Sequence, residues 1–450
     1  MKTAKQSLKP VDIKAIRTKL TRSNVKYASA YPGESSARQP VHTVYGGAQI
    51  FNSETASKMG ESALKILHAY APNAKAAAKA LHLTTEHALM ETIYARVTDK
   101  LKKEAVEDFR IDFEDGYGNR PNVEEDKHAE FTALELVKGM KNKTLPPFIG
   151  IRIKPFNEER VARSMRTADI FLSTVLSQTK GKLPENFVVT LPKVQTVEQA
   201  IAFEQMLTVI ERKNKLKKGY LKCELMIETP QSILDINGVS PMRSFVEAMK
   251  GRCTGAHFGT YDYTAGCNVT AVCQTMANPV CDFAKHVMQV SLAGMPIFLS
   301  DGATNVMPVG PHRGDDLSAA QKHENDQVVH RAWRLSYKHI MHSLETGYYQ
   351  GWDLHPAQLP VRYFAMYLFF LESYEQAAAR LGSFIEKAAK ATLLGDVFDD
   401  AATGQGLLNY FIRGVSCGAI TEEEALSTGV TLAEFRSRSF LKILENRKLV

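Results

Sequence analysis

The sequence predicts an α/β chain folded as a TIM (β/α)8 barrel, with a helical insertion after the first strand and a helical C-terminal extension. Three observations carry this. Eight short strand-like runs alternate with stretches long enough for the helix that a parallel crossover needs. Several runs end abruptly in charged residues, as barrel strands do when they carry side chains to the mouth of a site. Two segments, one after the first run and one after the last, exceed what minimal units require. Alternation by itself leaves a doubly wound sheet as the alternative.

In chain order the runs are Val41 to Tyr45, Phe109 to Phe113, Phe148 to Lys154, Phe187 to Pro192, Cys223 to Ile227, Gly255 to Gly259, Pro296 to Ser300 and Gly351 to Leu354. Stretches at 124–137, 158–176 and 196–210 read as crossover helices. Residues 1–40 precede the barrel as an N-terminal extension, and 41–362 form the barrel domain. Within the insertion at about 52–107, Leu89, Ile93, Val97 and Leu101 recur at four-residue spacing and mark a helix with one buried stripe. Residues 363–450 read as helical, from the aromatic stripe Tyr363 to Leu371 through Thr421-Glu-Glu-Glu, which opens as a capping box. The stripe is expected to pack on the barrel or on a neighbouring subunit.

Composition excludes several function classes. At 450 residues, 44% hydrophobic and 23% charged, the chain is neither fibrous nor disordered. Its longest apolar run, Tyr363 to Leu371, is too short to span a membrane. The N-terminus lacks the continuous apolar core of a secretory signal. A formal charge of +7, densest at Glu211 to Lys218, comes with no nucleic-acid-binding module and reads as a solvated loop. The six cysteines form no CxxC pair, which points to reduced thiols in a cytoplasmic protein.

The strand ends hold the chemistry. The second run ends Asp112-Phe-Glu114-Asp115-Gly, placing carboxylates at the mouth, with glycines that let the loop turn tightly over a ligand. In Ile151-Arg152-Ile153 an arginine sits between isoleucines, where an unpaired guanidinium would cost several kcal/mol, so it must face an acid or a polar interior. Its fork suits a substrate carboxylate and would stabilise an enolate; an ion pair with Glu114 or Asp115 is the alternative. Lys193, ending Thr190-Leu-Pro-Lys, reads equally as a substrate contact or as support behind one. Glu228 and Asp262, at neighbouring strand ends, make a hard-oxygen pair suited to Mg²⁺ or Mn²⁺ with other positions open to water and a chelating substrate.

Taken in order, Asp-Phe-Glu-Asp-Gly, Ile-Arg-Ile, Leu-Pro-Lys-Val, Ile-Glu-Thr-Pro, Gly-Thr-Tyr-Asp and Leu354-His355-Pro356 with Gln358 resemble the HpcH/HpaI aldolase and citrate lyase β-subunit superfamily over roughly residues 41–362. The resemblance implies a TIM barrel in which Glu228 and Asp262 bind Mg²⁺, Arg152 binds a 2-oxo acid carboxylate, and the amides near Gly259 and Thr260 assist. The implied reaction is divalent-metal-dependent cleavage or formation of a carbon–carbon bond in a small 2-oxo or 2-hydroxy acid through an enolate; with the strand-end acids, Arg152, Glu114 and Asp115 are the catalytic candidates, and the general base is unassigned. Two departures limit it. Tyr45-Gly-Gly-Ala-Gln replaces the Pro-Gly-x-x-Pro-Arg loop of acyl-CoA lyases, so a CoA thioester is not carried over. Tyr117-Gly118 after Asp115-Gly116 replaces the Asp-Gly-Glu-His of pyruvate aldolases, so neither is their histidine base. With the helical insertion and long C-terminus, the chain reads as a distinct, longer branch.

His42, His257, His312 and His355 lie near strand ends and read as structural. The resemblance further implies a homo-oligomer, trimer or hexamer, whose tail closes a neighbouring barrel mouth, with the acidic turn from Asp396 to Asp400 near the site. Competing readings are phosphoryl transfer to or from an enolpyruvate, for which no nucleotide loop is present, and a non-catalytic ligand-binding barrel.

Overall fold

A computed structural model describes residues 7–35, 37–314, 316–386, 392–394, 397–399, 401–437 and 440–447. Its centre is an eight-stranded parallel sheet in the order β7-β6-β5-β4-β3-β2-β1-β8. The strands are β1 His42–Gly47, β2 Asp108–Asp112, β3 Phe148–Arg152, β4 Phe187–Leu191, β5 Lys222–Ile227, β6 Cys253–Phe258, β7 Phe298–Ser300 and β8 Gly351–Asp353. The outer strands meet: the Asp301 N–H donates to the Gln350 carbonyl at 2.8 Å and the Trp352 N–H to the Gly302 carbonyl at 3.0 Å. Closure removes the open edges that a doubly wound sheet would keep, and the expected barrel is the one that forms.

Helices α1 Pro10–Ala30, α2 Thr55–Tyr70, α3 Ala74–Leu81 and α4 His87–Glu104 precede β2. The crossover helices α5 Asn122–Asn142, α6 Val161–Gln178 and α7 Val197–Lys213 follow β2, β3 and β4. After β5 come α8 Pro230–Ile233 and α9 Met242–Ala248; after β6, α10 Thr260–Gly266 and α11 Pro279–Leu292; after β7, α12 Ala319–Glu345. Beyond β8 lie α13 Leu359–Leu371, α14 Tyr374–Glu386, α15 Ala401–Ser416, α16 Glu422–Leu426, α17 Leu432–Ser437 and α18 Phe440–Asn446. A short antiparallel pair, Thr392–Leu394 with Val397–Asp399, interrupts a tail read from sequence as wholly helical. Among the described residues no helix is long and apolar enough to cross a membrane.

The insertion is three helices, α2 to α4. α4 buries Met90, Ile93, Val97 and Leu101, so Met90 takes the place expected for Leu89. A stripe held at strict four-residue spacing would rotate off the face of a 3.6-residue helix, and one three-residue step restores it. α1 buries no residue and stands exposed along its length.

The aromatic stripe is covered by its own chain. Tyr363, Phe364, Tyr367, Leu368 and Phe370 of α13 are buried, packed against α4 and α12, and the Tyr363 hydroxyl donates to the Ala105 carbonyl at 3.0 Å. Of the two coverings expected for it, its own chain supplies the one that forms, and a neighbouring subunit is not needed to hide it. The later tail helices dock where the strands begin. Arg413 pairs with Glu34 at 2.9 Å and bonds Gln39, both ahead of β1, while Arg96 of α4 pairs with Glu424 at 2.5 Å. Asp396 and Asp400 of the acidic turn lie outside the described residues.

Alternation along each strand sends Phe109, Ile111, Ile149, Ile151, Val189, Leu225 and Ile227 outward into the buried layer under the helices. The opposite faces meet inside the barrel and are polar. Arg110 pairs there with Asp108 at 2.5 Å and Glu224 at 2.5 Å and donates to the Thr190 hydroxyl at 3.0 Å. Thr43 donates to Asp108 at 2.7 Å, and His257 Nε2 lies 2.9 Å from Glu224 Oε2. This chain of charges crosses the barrel from β1 to β6 in place of the usual apolar layers. Every charge in it has an opposite charge beside it, without which burial would be prohibitive.

Candidate active site

The carboxyl ends of β2 to β6 bring Asp112, Glu114, Asp115, Arg152, Lys193, Glu228 and Asp262 to one mouth. In-register pairing of Asp112 with Arg152 puts their side chains side by side. Arg152 Nε donates to Asp112 Oδ1 at 2.7 Å and Nη2 donates to Oδ2. The remaining nitrogen, Nη1, lies 3.2 Å from Glu114 Oε2 and 3.9 Å from Asp115 and also donates to Met226 Sδ at 3.7 Å. Asp112 is completed by the backbone N–H groups of Glu114 at 2.9 Å and Gly116 at 2.7 Å. The guanidinium also lies over the Tyr45 ring, 4.7 Å from its centroid. Sequence reasoning named Asp112 among the mouth acids but did not pair it with Arg152; the signal was the alternation Asp108-x-Arg110-x-Asp112, which puts all three inside the barrel.

Lys193 sits at the centre of the acids. Its ammonium lies 2.5 Å from Glu114, 3.1 Å from Asp115 and 3.4 Å from Asp262. Its backbone N–H donates to Glu228 Oε1 at 2.8 Å. The residue holds φ at +52°, a left-handed conformation that is strained by about 1 kcal/mol or more when it is not glycine. That backbone turn is what aims both its amide and its ammonium into the mouth. The acids hold the ammonium charged, outweighing a burial that works against it.

Glu228, one residue past β5, is buried. Gly259 makes room for it: a Cβ there would come within 2.3 Å of Glu228 Cβ and 2.4 Å of Oε2. Burial, with repulsion from Asp262 and Glu114, pushes the Glu228 carboxyl up to about 8. Burial likewise raises Asp262, on the first turn of α10, against the pull of Lys193. Glu114 and Asp115 are pushed apart. Burial takes Glu114 up to about 7 in spite of Arg152 and Lys193. Asp115, at the exposed rim, goes down, because Glu114, Arg152 and Lys193 together outweigh its own desolvation. Two neighbouring carboxyls with separated proton affinities are the arrangement that lets one carry a proton while the other stays ionised.

Thr260 opens α10 beside Gly259 and is buried, its hydroxyl without a partner in the protein. A cleft of about 340 Å³ opens beside the acids, lined by Glu114, Asp115, Asn119, Lys154, Arg160 and Lys193. Of the other histidines, His42 lies 3.0 Å from Asp353 on the outer face of the barrel, His312 pairs with Glu324 at 2.6 Å, and His355 caps its own turn by accepting from the Ala357 N–H at 3.1 Å.

The donor set facing the mouth is all oxygen, which fits a hard divalent cation. Among the described residues, no three acidic, histidine or cysteine side chains are arranged to enclose an ion; the Lys193 ammonium fills the middle of the group. The arrangement fits an ion held by two carboxylates and completed by water or substrate oxygens, and does not fit a cage made by the protein alone.

A family model described as "Domain of unknown function (DUF6986)" matches residues 20–443. No curated protein matches the chain. Among solved structures, a citrate lyase from Burkholderia xenovorans LB400 is similar at 16% identity, covering 88% of this chain and 97% of that one, with a TM-score of 0.54. A Haloferax volcanii malate synthase in a magnesium/glyoxylate complex matches at 13% identity over 88% of this chain and 97% of that one, TM-score 0.46. Protein CitE from Mycobacterium tuberculosis in complex with magnesium and acetate matches at 13% identity over 73% and 91%, TM-score 0.40. The citrate lyase shares the barrel fold. The chain belongs to the DUF6986 family.

Proposed function

We propose that this chain is a divalent-metal-dependent enzyme that makes or breaks a carbon–carbon bond in a small 2-oxo or 2-hydroxy carboxylic acid through an enolate. The observation that carries the reading is the gathering of Glu114, Asp115, Glu228 and Asp262 around Lys193 and the open side of Arg152. Burial raises Glu114 and Glu228, and repulsion from the neighbouring carboxylates adds to it; a site of that kind is stabilised by a bound cation. Barrel fold alone would not carry the reading, since the fold hosts many chemistries.

Glu228 and Asp262 would hold Mg²⁺ or Mn²⁺. Such an ion, when bound, supplies a Lewis acid that binds the 2-oxo acid and stabilises enolate charge. Arg152 offers Nη1 to the substrate carboxylate, held in direction by its two bonds to Asp112. The Gly259 N–H is taken up by the Ile227 carbonyl at 3.0 Å, so of the two expected amides only that of Thr260, at the start of α10, is left to assist. Glu114, Arg152 and Lys193 keep Asp115 ionised, and the Lys193 ammonium offsets part of the negative charge of the group until substrate arrives. Glu114, with an affinity near neutrality, holds or gives the proton that the enolate carbon exchanges.

Calorimetric titration of metal-free protein with Mg²⁺, followed by pyruvate, oxaloacetate, glyoxylate and acetyl-CoA, tests this. Expected are Mg²⁺ binding that requires Glu228 and Asp262, and a 2-oxo acid that binds only afterwards. Equal 2-oxo acid binding with and without Mg²⁺ would overturn the reading.

A further inference from the structure

We infer that the cleft beside the acid cluster takes the far carboxylate of a 2-oxo dicarboxylic acid, with Arg160 as the residue that selects it. The inference deepens the proposed function and rests on it in one respect, that the 2-oxo end of the substrate lies at Arg152 and Glu228.

The cleft is open space that begins at the mouth. Glu114, Asp115 and Lys193 line one part of it, and Asn119, Asn157 and Arg160 line the rest of the same volume of about 340 Å³. That is at the small end of the range for ligand sites, about 300–1,000 Å³, and suits an acid of a few carbons. Two loops build the outer part: Asn119 belongs to the one after β2, and Asn157 and Arg160 to the one that leads from β3 into α6.

Arg160 differs from the cations around it. Lys154 is paired with Glu125 at 3.0 Å, Arg163 with Asp126 at 2.5 Å, Arg120 with Glu124 at 2.5 Å and Lys193 with Glu114 at 2.5 Å. Arg160 Nη1 instead donates at 2.6 Å to the neutral carboxamide oxygen of Asn119. Among the described residues it has no carboxylate partner, and its Nε and Nη2 make no bond to the protein. Those two nitrogens share the edge of the guanidinium that meets a carboxylate at two points. The side chain is half-buried, so the edge is held at the cleft yet open to a ligand.

The asparagines beside it have only donors to offer. Asn119 Oδ1 is taken by the Arg160 side chain, and Asn157 Oδ1 accepts from the Arg160 backbone N–H at 3.0 Å. Each carboxamide is left with its NH₂ group. The outer part of the cleft therefore presents a guanidinium edge and two amide nitrogens, where the mouth presents acids. An anion satisfies that set, whereas the methyl end of a monocarboxylic acid would leave all of it to water. The positive charge there is single, and the exposed Glu159 lines the same cleft. A carboxylate, with one negative charge, matches this better than a phosphate, which carries about −1.5 to −2 at neutral pH.

The placement suits the chemistry of the mouth. In a 2-oxo diacid the carbon that exchanges a proton lies between the 2-oxo group and the far carboxylate. Glu114, whose proton affinity is near neutrality, lines both the mouth and the cleft, so a substrate reaching from Arg152 to Arg160 passes it.

Calorimetric titrations of the full chain, with and without Mg²⁺, test this with acids of matched length. The pairs are oxaloacetate with 2-oxobutanoate, 2-oxoglutarate with 2-oxopentanoate, and 2-oxoadipate with 2-oxohexanoate; 3-phosphooxy-2-oxopropanoate carries a phosphate in place of the far carboxylate. Expected is that, with Mg²⁺, at least one diacid binds about tenfold or more tighter than its monocarboxylic partner, in line with a charge-assisted two-point pair. Arg160→Gln should bring that pair to within about twofold by weakening the diacid, with the monocarboxylic acid held within about twofold of the parent. Asn119→Asp should do the same, because it gives Arg160 the carboxylate that it lacks. No preference in any pair, a preference that survives both substitutions, or tighter binding of the phosphate-bearing acid than of every diacid would each overturn the inference. Mg²⁺-dependent binding with no diacid preference would do so while leaving the proposed function standing. A diacid preference that Arg160→Gln removes but that needs no Mg²⁺ would sink the metal reading and leave the cleft assigned.

Discussion

Asp112 and Arg152 are in-register neighbours on β2 and β3, and the carboxylate of one engages two nitrogens of the other. Burial of the pair works against the guanidinium charge, and Asp112 holds the arginine charged in spite of it and fixes its direction. Sequence reasoning expected the whole fork to meet a substrate, or else an ion pair with Glu114 or Asp115. The structure gives two nitrogens to Asp112, and the third, Nη1, makes the expected ion pair with Glu114 at 3.2 Å, with Asp115 at 3.9 Å, and bonds Met226 Sδ at 3.7 Å.

Arg152→Lys should therefore do two things at once. The ammonium keeps the charge but cannot engage Asp112 at two points and still reach the mouth. Affinity for a 2-oxo acid should fall about tenfold or more, in line with a charge-assisted hydrogen bond of ~1.5–3 kcal/mol, and the melting temperature should drop as Asp112 loses a partner. Calorimetry and thermal melting read the two effects separately. Near-normal oxalate or pyruvate binding alongside a lowered melting temperature would show Arg152 to be structural only.

Glu228→Gln or Asp262→Asn removes like charge from a crowded mouth. Each variant should be at least as stable as the parent without metal and should lose the Mg²⁺-dependent rise in melting temperature. Gly259→Ala should act through Glu228, since the added methyl would overlap its side chain, weakening the Mg²⁺ response while adding about 1–3 kcal/mol of packing strain. Unchanged Mg²⁺ affinity in both acid variants would remove Glu228 and Asp262 from the metal site.

The barrel was legible because its strands are short apolar runs that end in charge, a local pattern that survives without tertiary context. Most of the mouth was legible for the same reason: Glu114, Arg152, Lys193 and Glu228 each sit at or just past a strand end. What stayed hidden depends on register and on closure. Nothing near Tyr45 in sequence announces that Trp352, some 300 residues away, packs on its ring, because that neighbourhood exists only once β8 pairs with β1. The destination of the tail was hidden as well. Helical periodicity finds the buried face of α13 but cannot say which surface covers it.

His339 gives a pH dependence away from the mouth. It is buried between Thr304, at 2.9 Å from Nδ1, and Thr275, at 3.1 Å from Nε2, and burial lowers it from 6.5 to about 4. Between those values the unfolded chain binds the proton and the folded chain does not, so stability rises with pH across the window and is lost as pH falls from 6.5 toward 4. The full effect is about 3 kcal/mol at ~1.4 kcal/mol per unit. In metal-free protein, denaturant titrations at pH 7 and pH 4.5 should show His339→Gln losing less stability on acidification than the parent. Equal losses would place the acid sensitivity elsewhere.

The tail makes opposite predictions for two truncations. Ending the chain after Pro360 removes α13, whose Tyr363, Phe364 and Tyr367 are buried against α4 and α12, and the exposed apolar face should make the protein insoluble. Ending it after Glu372 keeps α13 and removes helices that dock beside Gln39, Glu34 and Arg96, at the end of the barrel away from the acid cluster. That shorter protein should be less stable yet bind Mg²⁺ and a 2-oxo acid with affinity within about twofold of the full chain, because no described tail residue reaches its own mouth. Light scattering and calorimetry on the same samples decide between two roles. If the Glu372 truncation is monomeric and has lost ligand affinity while the full chain is an oligomer that binds, the tail must complete the mouth of a neighbouring subunit; retained affinity confines it to bracing the floor of its own barrel.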